Sequence, residues 1–299
     1  MSRPEFHLFL PQMRMDLPTL VERARAAEAS GFGGIALMDH LVPPMAEEHV
    51  MWEAMTAATW LLAHTETLRV GHLVLCDSLR HPAVLARQAV TLDHASGGRF
   101  DLGIGWGSVP AELETFGVGP TEAKVRVERL SETLQVLRAL WSGEPVDFQG
   151  KHFTLRRAQQ RPVPTSPIPL VIGGAGNRTL RLVEQHADWW NLPVYALDRL
   201  EELRPRTGNA RASMQIMVTF VDEESRRAGI TETVQRRFGG TNLHSQMVLG
   251  NAEELVGHFT DLHRRGVDRF YIWFTDFAAP DTLAAFGSRV IAACDGGAS

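Results

Sequence analysis

Eight short apolar runs recur along this chain, each followed by a segment with helical spacing or a loop, and no other feature narrows the possible folds as much. The runs lie at 5–10, 33–38, 68–75, 99–104, 170–174, 188–193, 213–221 and 268–274. The segment "DLPTLVERARAAEASG" shows the companion pattern: Leu17, Leu20, Val21, Ala24 and Ala27 share one helical face, Asp16 supplies an N-cap and Gly31 a stop. Val125, Leu130, Leu134, Leu137 and Trp141 likewise line one side of a long helix within 122–143. The rhythm breaks once. There, 144–157 reads as a β-hairpin turning at Gln149-Gly150, and 162–169 is a proline-rich connector. It resumes at 170, and Asn251-x-x-Glu254 predicts a capping box opening a helix. Residues 222–249 follow no clear period.

Strands alternating with helices, without a shift in composition, predict one α/β domain over 1–299. Its expected form is a closed (β/α)8 TIM barrel with an inserted β-hairpin and loop segments. In such a barrel the chemistry sits on the loops that leave the strands, here 38–45, 75–82, 105–112, 173–178, 192–196, 221–250 and 275–280.

Composition removes several classes of function. Thirty basic against thirty-five acidic residues give a formal charge of −5, and no Lys/Arg cluster offers a nucleic acid a footprint. No apolar run approaches the roughly 18 residues of a membrane span. The opening "MSRPEFHLFLPQMRMD" lacks the cationic and apolar regions of a secretory signal. Two cysteines, Cys76 and Cys294, provide neither a disulfide framework nor a metal-ligand spacing, so a reducing cytoplasm is the expected compartment and no metal is expected.

The stretch "SGGRFDLGIGWGS" (96–108) invites a dinucleotide-binding reading, which its spacing opposes. Gly107 falls one position early for G-x-G-x-x-G, and the following segment is a helix rather than a strand ending in an acid. Period-2 geometry instead puts Phe100, Leu102 and Ile104 on one face of a strand and Asp101, Gly103 and Gly105 on the other. Glycines so placed either relieve crowding at a bulge or clear space for another backbone or a flat ligand.

Extended to "SGGRFDLGIGWGSVPAELETFGV" (96–118), this stretch resembles the signature of the bacterial luciferase-like monooxygenase family. Further blocks agree in order: "MDHLVPP" (38–44), "LVLCDSLRHPAVLARQAVTLDHASGGR" (73–99), "VIGGAGNRTLRLVEQHADWWNL" (171–192) and "GVDRFYIWFTDFAAPDTLAAFGSRV" (266–290). The resemblance covers nearly the whole chain except 195–250. It implies a (β/α)8 barrel with an insertion after strand four or five. It also implies an oxidoreductase, closest in pattern to the members that pass hydride between coenzyme F420 and a small organic substrate. FMN-dependent monooxygenation with reduced flavin and O2 is the alternative, and a flavin-binding protein without turnover a third reading. A homodimer is expected because relatives often pair.

The same resemblance implies roles for individual residues. Asp39 and His40 would be catalytic, His40 near the reactive carbon of the ring and Asp39 on the cofactor's polar edge; histidine titrates near neutrality and can pass a proton to or from a carbonyl or alcohol. Leu75 and Cys76 would support one face of the ring, at a place where the family often holds a non-prolyl cis peptide. Gly105, Trp106 and Gly107 would border the ring. Gly173, Gly174, Ala175, Gly176, Asn177 and Arg178 would hold its phosphate on free N–H groups at a helix start. Substrate would lie over the ring, under 222–249. Two departures stand out: Trp106 occupies a place usually small, and Ser108 stands where deazaflavin dehydrogenases carry a proton-donating Glu. Glu112 and Glu114 are read as charges at a helix N-terminus. Trp189, Trp190 and Trp273 are read as barrel packing, with Trp273 placed to reach the pocket.

Overall fold

The computed structural model describes residues 3–44, 46–241 and 246–296. Its eight barrel strands are β1 (Glu5–Phe9), β2 (Gly34–Leu37), β3 (Arg69–His72), β4 (Phe100–Gly105), β5 (Leu170–Gly173), β6 (Trp189–Leu192), β7 (Arg211–Phe220) and β8 (Val267–Phe274). Each pairs parallel with the next, and β8 pairs with β1, so the sheet closes into the expected (β/α)8 barrel. Closure removes every edge from the ring and confines ligand access to its ends.

Local chemistry fixes the surrounding helices. Helix α1 (Leu17–Ala29) starts where Asp16 accepts from the Thr19 N–H at 2.8 Å, and it stops at Ser30 before Gly31 at φ +85°. Helix α2 (Ala54–His64) is followed by α3 (Pro82–Ser96), which ends on a left-handed Gly97. Helix α4 (Ala123–Trp141) buries Leu130, Leu134 and Leu137, three of the five residues expected on its inner face. The helix Ala252–Arg264 opens with the capping box expected at Asn251 and Glu254. Among the described residues no helix is long and apolar enough to cross a membrane.

An ion network plugs the end of the barrel where the strands begin. Asp101 on β4 meets Arg69 on β3 and Arg269 on β8, and Arg269 also meets Glu5 on β1. Because β4 and β8 are not neighbours, Asp101 must point into the barrel, on the strand face that the period-2 pattern shares with Gly103 and Gly105. Arg269 additionally lies over the Trp189 ring, 3.7 Å from its centroid. The opposite end is left for chemistry.

Three expectations need correction. The third strand is not continuous over 68–75: β3 ends at His72, the Leu73–Val74 peptide is cis, and Leu75–Cys76 rejoins as a short strand beside Ile104 and Gly105. The hairpin strands are Val146–Gln149 and Thr154–Ala158, with a wider loop than a turn at Gln149-Gly150, because Glu132 of α4 accepts from the N–H groups of Lys151, His152 and Phe153 and holds the loop open. Segment 222–249, unreadable in sequence, contains the helix Arg227–Phe238 and runs into the strand Val248–Gly250, which pairs with the outer part of β7; 242–245 lie outside the described residues.

Candidate active site

A cleft of about 430 Å³ opens where β2 to β7 end. The loop after β2 brings Asp39 and His40; the interrupted segment after β3 brings Leu73, Val74 and Cys76. The rim after β4 contributes Gly105 to Val109 and the short helix behind it Glu112. Gly173 to Gly176 and Thr179 come from the β5 turn, Asn191, Pro193 and Tyr195 from β6, and Gln215 from β7. A larger hollow of about 1120 Å³ lies against α2 and α3, with Glu53, Arg87, Gln88, Gln159 and Gln160 among a mostly apolar lining.

The glycines of β4 serve chiefly the protein's own backbone. A Cβ on Gly103 would stand 1.8 Å from the His72 carbonyl oxygen, and one on Gly105 2.8 Å from a Val74 methyl. At Gly107, φ is +80° and a Cβ would meet the Cys76 sulfur at 2.6 Å. Their absence of side chains lets the 73–76 segment lie flat on β4 and form one wall of the cleft. Of the two uses open in sequence, close backbone approach is the one observed; Gly105 and Gly107 also border the cleft. Trp106 lines it too, backed by the buried Arg126, whose guanidinium sits 4.9 Å from the indole centroid and donates to the Gly107 carbonyl at 2.8 Å.

Asp39 is committed within the protein. It is buried, Oδ2 accepts from the Cys76 N–H at 2.7 Å and from Arg80, and Oδ1 accepts from Arg80 at 2.9 Å. Arg80 also reaches Glu53 at 2.8 Å. This carboxylate therefore staples the β2 loop to the interrupted β3 segment. Leu75 points into the core rather than the cleft, because Leu73, Val74 and Cys76 take the lining positions around it. Burial pushes the Cys76 thiol up, which favours its protonated form.

His40 meets Glu112 across 72 positions of sequence, Nδ1 to Oε2 at 3.2 Å. Glu112 does sit in the first turn of the helix Pro110–Thr115, as a helix-start charge would, but its carboxylate turns away to the 40–42 loop. Nothing in the sequence signals this contact, since only the fold joins the two segments.

At the β5 turn, helix α5 (Asn177–His186) begins with Gly176 as N-cap and no side chain capping it. Gly173 to Gly176 and Thr179 in its first turn line the cleft, and a Cβ on Gly176 would touch nothing. Trp190 donates to the Gly174 carbonyl at 2.8 Å and holds the turn from below. Asn177 and Arg178 are exposed and do not line the cleft; Asn177 Oδ1 accepts from Arg206. Trp189 and Trp190 are packing residues, and Trp273 packs on Phe9 inside the barrel rather than lining the cleft. None of the described residues of 222–249 lines the cleft; the helix Arg227–Phe238 borders a separate hollow with 274–282. Asn191 and Gln215 were missed, although a polar residue inside an apolar strand was the available signal.

Comparison with known proteins shows the family and the fold. The family model for luciferase-like monooxygenases matches residues 3–225. An F420-dependent glucose-6-phosphate dehydrogenase of Nakamurella multipartita is 34% identical over 173 residues, which cover 56% of this chain and 50% of that one. The Rhodococcus erythropolis enzyme of the same name is 34% identical over 215 residues, covering 68% and 62%. The chain thus spans about half to three-fifths of the length of these curated relatives. Among solved structures, an F420-dependent secondary alcohol dehydrogenase superposes with a TM-score of 0.80 at 21% identity, covering 97% of this chain and 99% of its own. An EDTA monooxygenase from Chelativorans gives 0.84 at 15% identity, covering 98% and 94%.

Proposed function

The chain belongs to the luciferase-like monooxygenase family, and we propose that it is an oxidoreductase moving hydride between coenzyme F420 and a small organic substrate. One observation carries this reading: a single cleft holds both an uncapped, glycine-rich helix start and the histidine His40. The donor set fits one phosphate, as a mononucleotide-like deazaflavin requires, and the names of the curated relatives favour F420 over FMN. When bound, the deazaflavin supplies the hydride chemistry.

The protein's own part is to bind, orient and handle the proton. Gly173 to Gly176 and the α5 N-terminus would hold the phosphate, and the wall built by Leu73, Val74 and Cys76 would support a flat ring against Gly105 and Gly107. His40 would take or return the proton on the substrate oxygen. Asp39 holds that loop in place. No Lys or Arg is among the described residues lining the cleft, so a second phosphate, as on a sugar phosphate, has no cation to meet it. The substrate that suits the cleft is an uncharged alcohol or carbonyl compound.

The same reading has the chain act as one domain, a homodimer in a reducing cytoplasm without nucleic-acid or membrane partners. Exposed Trp60 and Val84, bordering the apolar groove against α2 and α3, and the two free cysteines support it. FMN-dependent monooxygenation is the second reading, favoured by the fold shared with the EDTA monooxygenase. Paired titrations, following the fluorescence of F420 and of FMN as protein is added, separate the two. Saturable binding of F420 is expected; tight FMN binding with no response from the deazaflavin would overturn the proposal.

A further inference from the structure

Two carboxylates flank His40, and only one of them meets its ring. Asp39 is spent on Arg80 and the Cys76 N–H. Glu112, 8% exposed, uses Oε1 to accept from the N–H groups of Leu41 at 2.6 Å and Val42 at 3.1 Å. Its Oε2 lies 3.2 Å from His40 Nδ1. An ionised carboxylate only accepts, so beside ionised Glu112 the 3.2 Å contact requires that Nδ1 carry the proton. In the neutral ring Nε2 is then bare. That nitrogen has no partner among the described residues, and the ring lines the cleft.

We infer that Glu112 is a positioning residue: with one oxygen it ties down the 40–42 loop, and with the other it fixes the His40 tautomer whose Nε2 faces substrate as a proton acceptor. The inference rests on His40 being the proton-handling group of the proposed function. In the oxidising direction the substrate hydroxyl proton passes to Nε2 as the C–H hydride leaves to the carrier, giving a carbonyl and an imidazolium held by Glu112. In the reverse direction Nε2–H returns that proton to the carbonyl oxygen.

Glu112→Gln isolates the effect because it keeps shape and changes donor pattern. The amide oxygen can satisfy both loop N–H groups only if the NH2 faces Nδ1, which must then accept; the ring proton moves to Nε2. The opposite orientation leaves two loop N–H groups facing a donor. Long-range proton–nitrogen NMR of ligand-free, 15N-labelled protein at alkaline pH reports the tautomer directly, with His40 assigned by its disappearance in His40→Asn. Wild type should show Nδ1–H, and Glu112→Gln should show Nε2–H. Nε2–H or a mixture in wild type overturns the inference without recourse to any variant, as does an unchanged tautomer in folded Glu112→Gln. In turnover with F420 and a small secondary alcohol, Glu112→Gln should lower kcat roughly 10²- to 10⁴-fold, the range that a positioned general base contributes, with KM little changed. A flipped tautomer with wild-type turnover would instead overturn the role of His40 while leaving the tautomer assignment intact.

Discussion

Gly105→Ala and Val74→Ala, made singly and together, test whether the β4 glycines exist to admit the 73–76 segment. A Cβ on Gly105 would stand 2.8 Å from a Val74 methyl, well inside ordinary contact. Overpacking of this kind costs about 1–3 kcal/mol. Replacing a strand glycine with alanine returns about 0.4–1 kcal/mol through the unfolded chain. Gly105→Ala alone should therefore destabilise by up to roughly 2.6 kcal/mol. Val74 is half-buried, and Val74→Ala should cost about 1 kcal/mol. With the methyls gone the clash goes too, so Gly105→Ala should be neutral or stabilising in the Val74→Ala background. Denaturant unfolding of the four proteins closes the cycle, and a coupling of about 1–3 kcal/mol is expected. Equal costs of Gly105→Ala in both backgrounds would show that Val74 is not what the glycine accommodates.

His40→Asn should reduce turnover by about 10²-fold or more while F420 affinity stays within a few-fold, checked by steady-state kinetics beside a fluorescence titration. Asp39→Asn breaks a buried pair with Arg80 and should cost about 3–5 kcal/mol, read from the denaturant midpoint. Burial holds His72 neutral in the fold, its pKa lowered to about 4, so the unfolded chain takes up the proton first as pH falls below 6.5. Relative to His72→Gln, wild type should therefore lose about 3 kcal/mol of stability between pH 6.5 and 4, and hold its margin above that window.

The barrel was legible because its signal is periodic: eight apolar runs spaced by helices leave few alternatives, and the caps at Asp16 and Asn251 behave as their residue types dictate. The break after His72 was not legible, because "LRVGHLVLC" reads as one apolar run and the interruption depends on glycines in another strand. Asp39 and His40 are adjacent in sequence yet face different partners, Arg80 and Glu112, which only tertiary structure supplies. Glu112 carried the ordinary signature of a first-turn acid, and nothing local distinguishes such a charge from one reaching back to a loop 70 residues earlier. The turn after β5 was located by its glycines, but Asn177 and Arg178, carried along by proximity, are exposed and do not line the cleft.

The most direct measurement of the central claim is the absorbance of oxidised F420 mixed with the purified protein and a panel of small uncharged alcohols, run beside His40→Asn. Bleaching of the deazaflavin by at least one alcohol, lost in His40→Asn, is the predicted result. Oxygen consumption with reduced FMN, together with no bleaching of F420 by any substrate, would contradict the account.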